Sequence, residues 1–426
     1  MNKRFFLGIA AIALMAVSCT QNDVEVINTT DADAISLNAS TAVSRASITK
    51  VGNLESGFSV WSTKTGSGDW FINGQTHALL SGKWNFDPAK AWPTLDTEYP
   101  VSFYAHHPMT APGVFSVIST PVGDVKLDIT VPESANEQKD IVAAKETANA
   151  KPSTGNLTMT FKHILSKLHF TVTNSYSGTP NANQHVFVQA VGFKHVNTKT
   201  VYDIPAGTYT APTDLGDYTY FGKFFDSSTG ASVLPEKEFH NVTVATDNAA
   251  KFYAVGVTSP AVAWEDMFLM LVPQVPTVWD PTSSTPVVGP LSTEAYVQLV
   301  YRWENYDGNS PANLVDQIGF KNANTHPDYA GSALETAGYT GPLYVKVGYT
   351  YTATWEKGKG YQYNIPVPGT SGGRLITDKL IDNEGNETDL KVPGVDETDP
   401  ILGDEYIHLI PTVTEWDDTT PVIPVQ

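Results

Sequence analysis

The sequence predicts an all-β fold built of many short strands. Three features carry that expectation: apolar–polar alternation in segment after segment, turn-forming clusters between the segments, and few long amphipathic helical patterns. Runs rich in Val, Thr, Tyr and Phe stand at KLHFTVTN (167–174), HVFVQAV (185–191), DMFLMLVPQV (266–275), AYVQLVYRW (295–303) and PLYVKVGYTYTATW (342–355). Several alternate apolar with polar residues, the period of a strand with one buried face. Between such runs lie SGTPNANQ, VWDPTSSTPVVGP, VPGTSGG and DNEGNETD, clusters of the residues that turn a chain. NEQKDIVAAKE (136–146) and GSALETAG (331–338) read as the best helix candidates, and both are short. Many short strands call for sandwiches or barrels, and at roughly 150 residues per domain two sandwiches are expected rather than one.

The N-terminus reads as an export signal. Lys3 and Arg4 precede the apolar run FFLGIAAIALMAV, which is shorter than the ~20 residues a bilayer span requires. Residues 1–18 are the expected signal peptide. Cys19, the only cysteine, stands directly after Ser18 in AVSC. This resembles the lipobox of bacterial lipoproteins, in which the cysteine sulfur receives a diacylglycerol and the freed amine is acylated as well, commonly by palmitate. Two or more acyl chains hold a protein on a membrane where one holds it marginally. The expected location of the precursor is the outer membrane, attached through Cys19.

Composition narrows the function. With one cysteine the chain forms no internal disulfide, so its stability rests on burial. The formal net charge of −19 argues against nucleic-acid binding, since phosphate contacts need Lys and Arg. Zinc-protease, nucleophile-elbow and phosphate-loop motifs are missing, and an enzyme is not expected, nor a cofactor. His106 and His107 are adjacent on a strand-like segment and point to opposite faces, so they suit packing rather than one metal ion. DNEGNETD (382–389) lacks the ligand spacing of a calcium loop and reads as a solvated turn.

Five segments resemble the fimbrillins of the Bacteroidetes. AWPTLDTEYPVSFYAHHP (91–108) is similar to their Trp-Pro and Phe-aromatic-Ala-x-x-Pro stretch, and VPESANEQKDIVAAKE (131–146) to their Val-Pro and Gln-x-Asp segment. LTMTFKHILSKLHFTVTN (157–174) is similar to their Phe-x-His-x-Leu-x-x-Leu strand. FLMLVPQ (268–274) and WEKGKGYQYNIPV (355–367) match their Pro-Gln and Gly-Lys-x-Tyr-x-Tyr segments. The resemblance implies two transthyretin-like β-sandwich domains in tandem, here expected over 46–183 and 184–405. It also implies a structural subunit of a type V pilus serving cell adhesion. Such subunits are exported as lipoproteins, cut by an arginine-specific surface protease, and joined when a strand of one subunit enters the groove left in another.

Residues 19–45 fit the removable piece. Ile35, Leu37, Ala39, Thr41 and Val43 lie two apart and form one apolar face of a strand. The strand is followed by Arg45 and Ala46, the expected cleavage pair. The next arginine is Arg302, within a segment expected to be a paired strand, while Arg374 in SGGRLITD reads as an exposed loop arginine. The donor candidate is 406–426, with Ile407, Leu409, Val413, Trp416, Ile423 and Val425 as apolar anchors. Pro421 and Pro424 lack backbone N–H groups, which restricts pairing or moves the donor toward 407–416. Expected partners are other subunits, the same chain among them, and the protease. Two alternatives stand beside a stalk subunit. One is a tip or accessory subunit that accepts a strand without donating one. The other is an uncleaved surface lipoprotein binding glycan through Trp61, Trp70 and Trp84.

Overall fold

The computed structural model describes residues 34–41, 57–80, 83–86, 88–133, 137–174, 184–221, 237–240, 249–250, 253–254, 268–281, 290–306, 314–352, 354–367, 374–394 and 408–416. The all-β expectation holds. The strands are β1 (Ser36–Thr41), β2 (Phe58–Lys64), β3 (Ile72–Leu80), β4 (Lys83–Phe86), β5 (Val101–His107), β6 (Phe115–Ile118), β7 (Lys126–Thr130), β8 (Val142–Ala148), β9 (Asn156–His163), β10 (Ser166–Asn174) and β11 (Gln184–Asp203). They continue as β12 (Thr208–Tyr209), β13 (Thr213–Phe221), β14 (Lys237–His240), β15 (Ala249–Ala250), β16 (Tyr253–Ala254), β17 (Leu269–Leu271), β18 (Tyr296–Tyr306), β19 (Leu314–Ile318) and β20 (Val345–Tyr351). The last are β21 (Lys359–Val367), β22 (Arg374–Leu375), β23 (Lys379–Ile381), β24 (Glu387–Lys391), β25 (His408–Leu409) and β26 (Thr412–Glu415).

One of the two helix candidates forms. GSALETAG supplies α1 (Ala333–Thr336), capped by Ser332, whose hydroxyl accepts from Glu335 N–H at 3.1 Å. NEQKDIVAAKE does not, because its second half is β8. That segment ladders with β5 on one side and β9 on the other, and Ile141, Val142, Ala143 and Ala144 are all buried. Helix propensities of Ala, Lys and Glu differ from those of other residues by less than ~1 kcal/mol each, so burial on both faces of a sheet overrides them.

Seven strands form the N-terminal sheet in the order β1-β9-β8-β5-β2-β3-β4. Only β1 runs parallel to its neighbour; the other pairs are antiparallel. The sheet curls so that its first strand comes against β3, where the His77 ring meets the Leu37 backbone. Leu37, Phe58, Phe103 and Phe161 fill the enclosed core.

The remaining strands form a five-stranded sheet with the path β15-β10-β21-β26, a larger sheet centred on β11, β18 and β20, and the β23–β24 hairpin. Strand pairing crosses the expected 183/184 boundary. The β6–β7 hairpin ladders onto β11 (Lys126 opposite Asp203), and β10 sits between β21 and β17. Trp61, Tyr104 and Ile141 from the first half therefore share one core with Phe193, Tyr301 and Tyr363 from the second.

The segments that resemble the fimbrillins are the staples of this junction. Gln138, 1% exposed, accepts from Met270 N–H at 2.7 Å and donates to Pro132 O. Gln274 bridges both backbone groups of Asn197 and pairs with the Trp355 backbone. Trp355 donates to Tyr363 Oη at 2.8 Å. His163 Nδ1 lies 2.7 Å from the Asp140 carboxylate, and Trp416 stacks on the His163 ring at 4.2 Å. Gln138→Leu should lower unfolding stability by about 1–3 kcal/mol, because Met270 N–H would be left buried without an acceptor. Chemical denaturation of the purified chain checks this.

Candidate functional site

The site is the seat of β1. Ser36–Thr41 lies in register with Asn156–Phe161 of β9, so Leu37 stands opposite Leu157 and Ala39 opposite Met159. Upstream, Ile35 N–H donates to Lys90 O at 2.7 Å, and Ala34 forms a bridge with Ala91. Ile35 and Leu37 point into the core at 3% and 0% exposure, and Ala39 is half-buried. Burying a large aliphatic side chain contributes roughly 1.5–3 kcal/mol, so two such residues and a ladder hold this short strand.

The two sides of β1 differ. Toward β9 it has a strand ladder; on the other side, among the described residues, the His77 imidazole meets the Leu37 backbone, beyond the Ile35–Lys90 bond. His77 Nε2 lies 2.9 Å from Leu37 O and 3.1 Å from Leu37 N. The ring is wedged between Phe58 and Phe86, with centroids at 5.3 and 4.3 Å. Phe58 in turn meets Phe161 edge-on at 5.0 Å. The slot around Leu37 is thus an apolar pocket with one polar group, placed where a strand backbone must be satisfied. Burial lowers the His77 pKa from 6.5 to about 4, opposed in part by the hydrogen bond to Leu37. At neutral pH the ring is uncharged, as an apolar slot requires. Nothing in QTHALL announces this partnership, since its other member lies 40 residues away.

The remaining site residues divide by position. Thr41 closes β1, while Cys19, Val43, Arg45 and Ala46 lie outside the described residues. Arg302 is 3% exposed on β18, between β11 and β20, as expected for a paired strand. Arg374 departs from expectation: it is half-buried on β22, laddered to β20 opposite Gly348. The glycine-rich run before it suggested a loop, yet the β20 edge offers pairing that local sequence does not show. At the C-terminal end, β25 pairs in parallel with β20, and β26 is the edge strand beside β21. Leu409 and Trp416 are buried in the chain's own core, whereas Val413 is 53% exposed. Ile407, Ile423 and Val425 lie outside the described residues.

Other candidates take structural places. His106 and His107 are buried and face different partners, Pro108 O at 2.9 Å and Gly57 O at 2.7 Å. Trp61 is 6% exposed and stacks on His106, and Trp70 donates to Ser119 O. Neither forms an open sugar platform. Trp84 lies on β4. Asp382 of DNEGNETD accepts from Glu384 and Asn386 N–H of its own turn.

Two predictions follow from this slot. Leu37→Ala should destabilise the intact chain by about 2–5 kcal/mol through the cavity it leaves. Calorimetry of the intact chain checks this. The second concerns pH. His77 and His106 both have pKa values near 4 in the folded chain, against 6.5. The unfolded state therefore binds more protons between those values, and stability falls as pH drops from about 6.5 to 4, by on the order of 3 kcal/mol per histidine. Denaturant titrations at pH 7 and 4.5 should show the loss, and His77→Gln should remove about half of it.

The sequence profile of the Fimbrillin-like family matches residues 28–267, more than half of the chain. No curated protein matches it significantly. Among solved structures, a fimbrial protein from Bacteroides vulgatus is similar at 14% identity, covering 79% of this chain and 95% of that one, with a TM-score of 0.49. A protein from Bacteroides uniformis assigned to cell adhesion shares 12% identity over 90% of this chain and 98% of its own, with a TM-score of 0.35. The matched span contains β1, the slot that holds it and the junction glutamine Gln138: the chain belongs to the Fimbrillin-like family.

Proposed function

We propose that this protein is a non-enzymatic structural subunit of a cell-surface fimbria. It is delivered as a lipoprotein through Cys19 and polymerises by strand exchange once its first strand is removed. The seating of β1 supports this reading most directly. It is six residues long, laddered on one side among the described residues, and buries Leu37 completely. Between its end and Phe58 the sequence carries Arg45, the one arginine in that interval. A cut there leaves β1 held by non-covalent contacts alone. Its loss would expose the β9 edge beside an apolar slot, a template for another strand.

The tail 417–426 is the proposed donor, because 408–416 is already part of the chain's own sheets. Ile423 and Val425 repeat the two-residue spacing of Ile35 and Leu37. The Leu37 backbone faces His77, so the residues flanking it face β9. In either register of the tail, one of Pro421 and Pro424 lies opposite β9 without an N–H to give. Insertion would thus use one ladder bond fewer than β1 does. A head-to-tail contact of this kind need not close, and an open one builds a filament. Removing residues 1–45 changes the charge from −19 to about −18 (three cations against four anions lost), so like charges oppose assembly. Insertion of a specific strand can overcome that repulsion, and a contact not based on ion pairs resists salt.

A second reading is a tip or accessory subunit that accepts a strand and donates none. The burial of Leu409 and Trp416 in the chain's own core favours it. Arg45→Ala should give lipid-anchored monomers and no fibres by electron microscopy. Deletion of 417–426 should permit cleavage and stop chain growth. Fibres of normal length from the deletion would reject the stalk reading in favour of the accessory one.

A further inference from the structure

A cavity of about 730 Å³ opens where the two halves meet, outside the β1 slot. Its wall comes from β8 and β9 on one side, and from the end of β11, the turn before β21 and the end of β26 on the other. Three lysines stand around it: Lys145, Lys162 and Lys357. Lys145 Nζ donates to Pro205 O and Lys357 Nζ to Gly207 O, both at 2.6 Å. Each ammonium has three donors, so these bonds fix the side chains and leave donors over. Lys357 is also held over the Tyr202 ring at 5.3 Å. Burial first, and then the neighbouring charge of Lys162, lower the Lys357 pKa, the mark of a cation short of negative charge.

The rest of the lining selects among anions. Tyr202 and Trp416 stand in the wall, both buried, and Trp416 Nε1–H is a buried donor without an acceptor. Glu146 and Glu415 supply carboxylates at the same cavity, with Glu415 already paired to Lys359. Carboxylates repel a compact multiply charged anion such as phosphate, yet they accept well from hydroxyl groups. Lysines, by contrast, add little to a neutral sugar. Cations for one carboxylate and acceptors for hydroxyls together describe a ligand that carries both. The volume is that of a small-molecule site. We propose that this junction cavity binds a carboxylated sugar residue, such as a hexuronic or sialic acid unit of an acidic glycan. Each subunit would then carry a ligand site of its own, whichever place it takes in a filament.

The test is isothermal titration of the full-length purified chain with galacturonic acid, N-acetylneuraminic acid, galactose and inorganic phosphate. Saturable one-to-one binding of at least one sugar acid, with galactose and phosphate at least tenfold weaker, is expected. Lys162→Gln, an exposed substitution, should weaken that binding about tenfold, and Lys162→Arg should restore most of it. The thermal midpoint of both variants should match the parent, which separates loss of binding from loss of fold. No saturable binding of either acid, phosphate binding as tightly as the acids, or an unchanged affinity in Lys162→Gln would each overturn the proposal. Binding at this cavity is independent of cleavage at Arg45, so its failure would leave the assembly reading intact.

Discussion

The Leu37 backbone is the hinge of this structure's logic. Its N–H and C=O point away from the β9 ladder, toward a slot lined by Phe58 and Phe86. An unpaired peptide group there would lose the free energy of a buried hydrogen bond. One imidazole nitrogen meets it, donating to the Leu37 carbonyl in one tautomer or accepting from the Leu37 N–H in the other, and burial keeps that imidazole neutral. The rest of the N-terminal half depends on this contact. The sheet curls far enough for β3 to reach β1, and Leu37, Ile35 and Phe161 close one core. Yet among the described residues β1 is joined to the body by one strand ladder rather than two. A strand so seated is well buried and also separable.

The junction between the halves is built differently. Two glutamines, a tryptophan–tyrosine pair and a histidine–aspartate pair each bridge segments far apart in sequence. The β6–β7 hairpin extends the sheet of the second half, and the large core draws on both. In the proposed filament, a subunit carrying load needs its two halves to move as one body. Shared sheet and shared core provide that, whereas two sandwiches on a flexible linker would not. The contrast between a first strand held by one ladder and a firmly knitted remainder fits the proposal that the first strand is removed and the rest stays.

Period-two alternation made much of this legible in the sequence. The five longest strand runs all contain strands, and Ile35 and Leu37 turn inward as their spacing required. GSALETAG carried its own cap and became a helix. What stayed hidden was long-range. Ala, Lys and Glu in 142–148 favour a helix locally, and only two neighbouring strands make that stretch β8. Arg374 looked solvent-bound because its partner, β20, lies some 25 residues away. His77 gave no sign of its role, because its hydrogen bonds go to a backbone rather than to a complementary side chain. The seating of Trp416 against His163 was equally silent, since stacking leaves no spacing pattern.

Amide hydrogen exchange along β9 tests the central claim most directly. It would be measured on the intact chain and on the same chain after a cut at Arg45 and release of the first strand. The account predicts that amides 157–161 are protected in the intact chain and lose that protection selectively on release. A peptide spanning 34–43 should restore it. Unchanged protection after release, or loss spread evenly over the whole N-terminal sheet, would contradict the view that β1 is a separable strand covering a pre-formed groove.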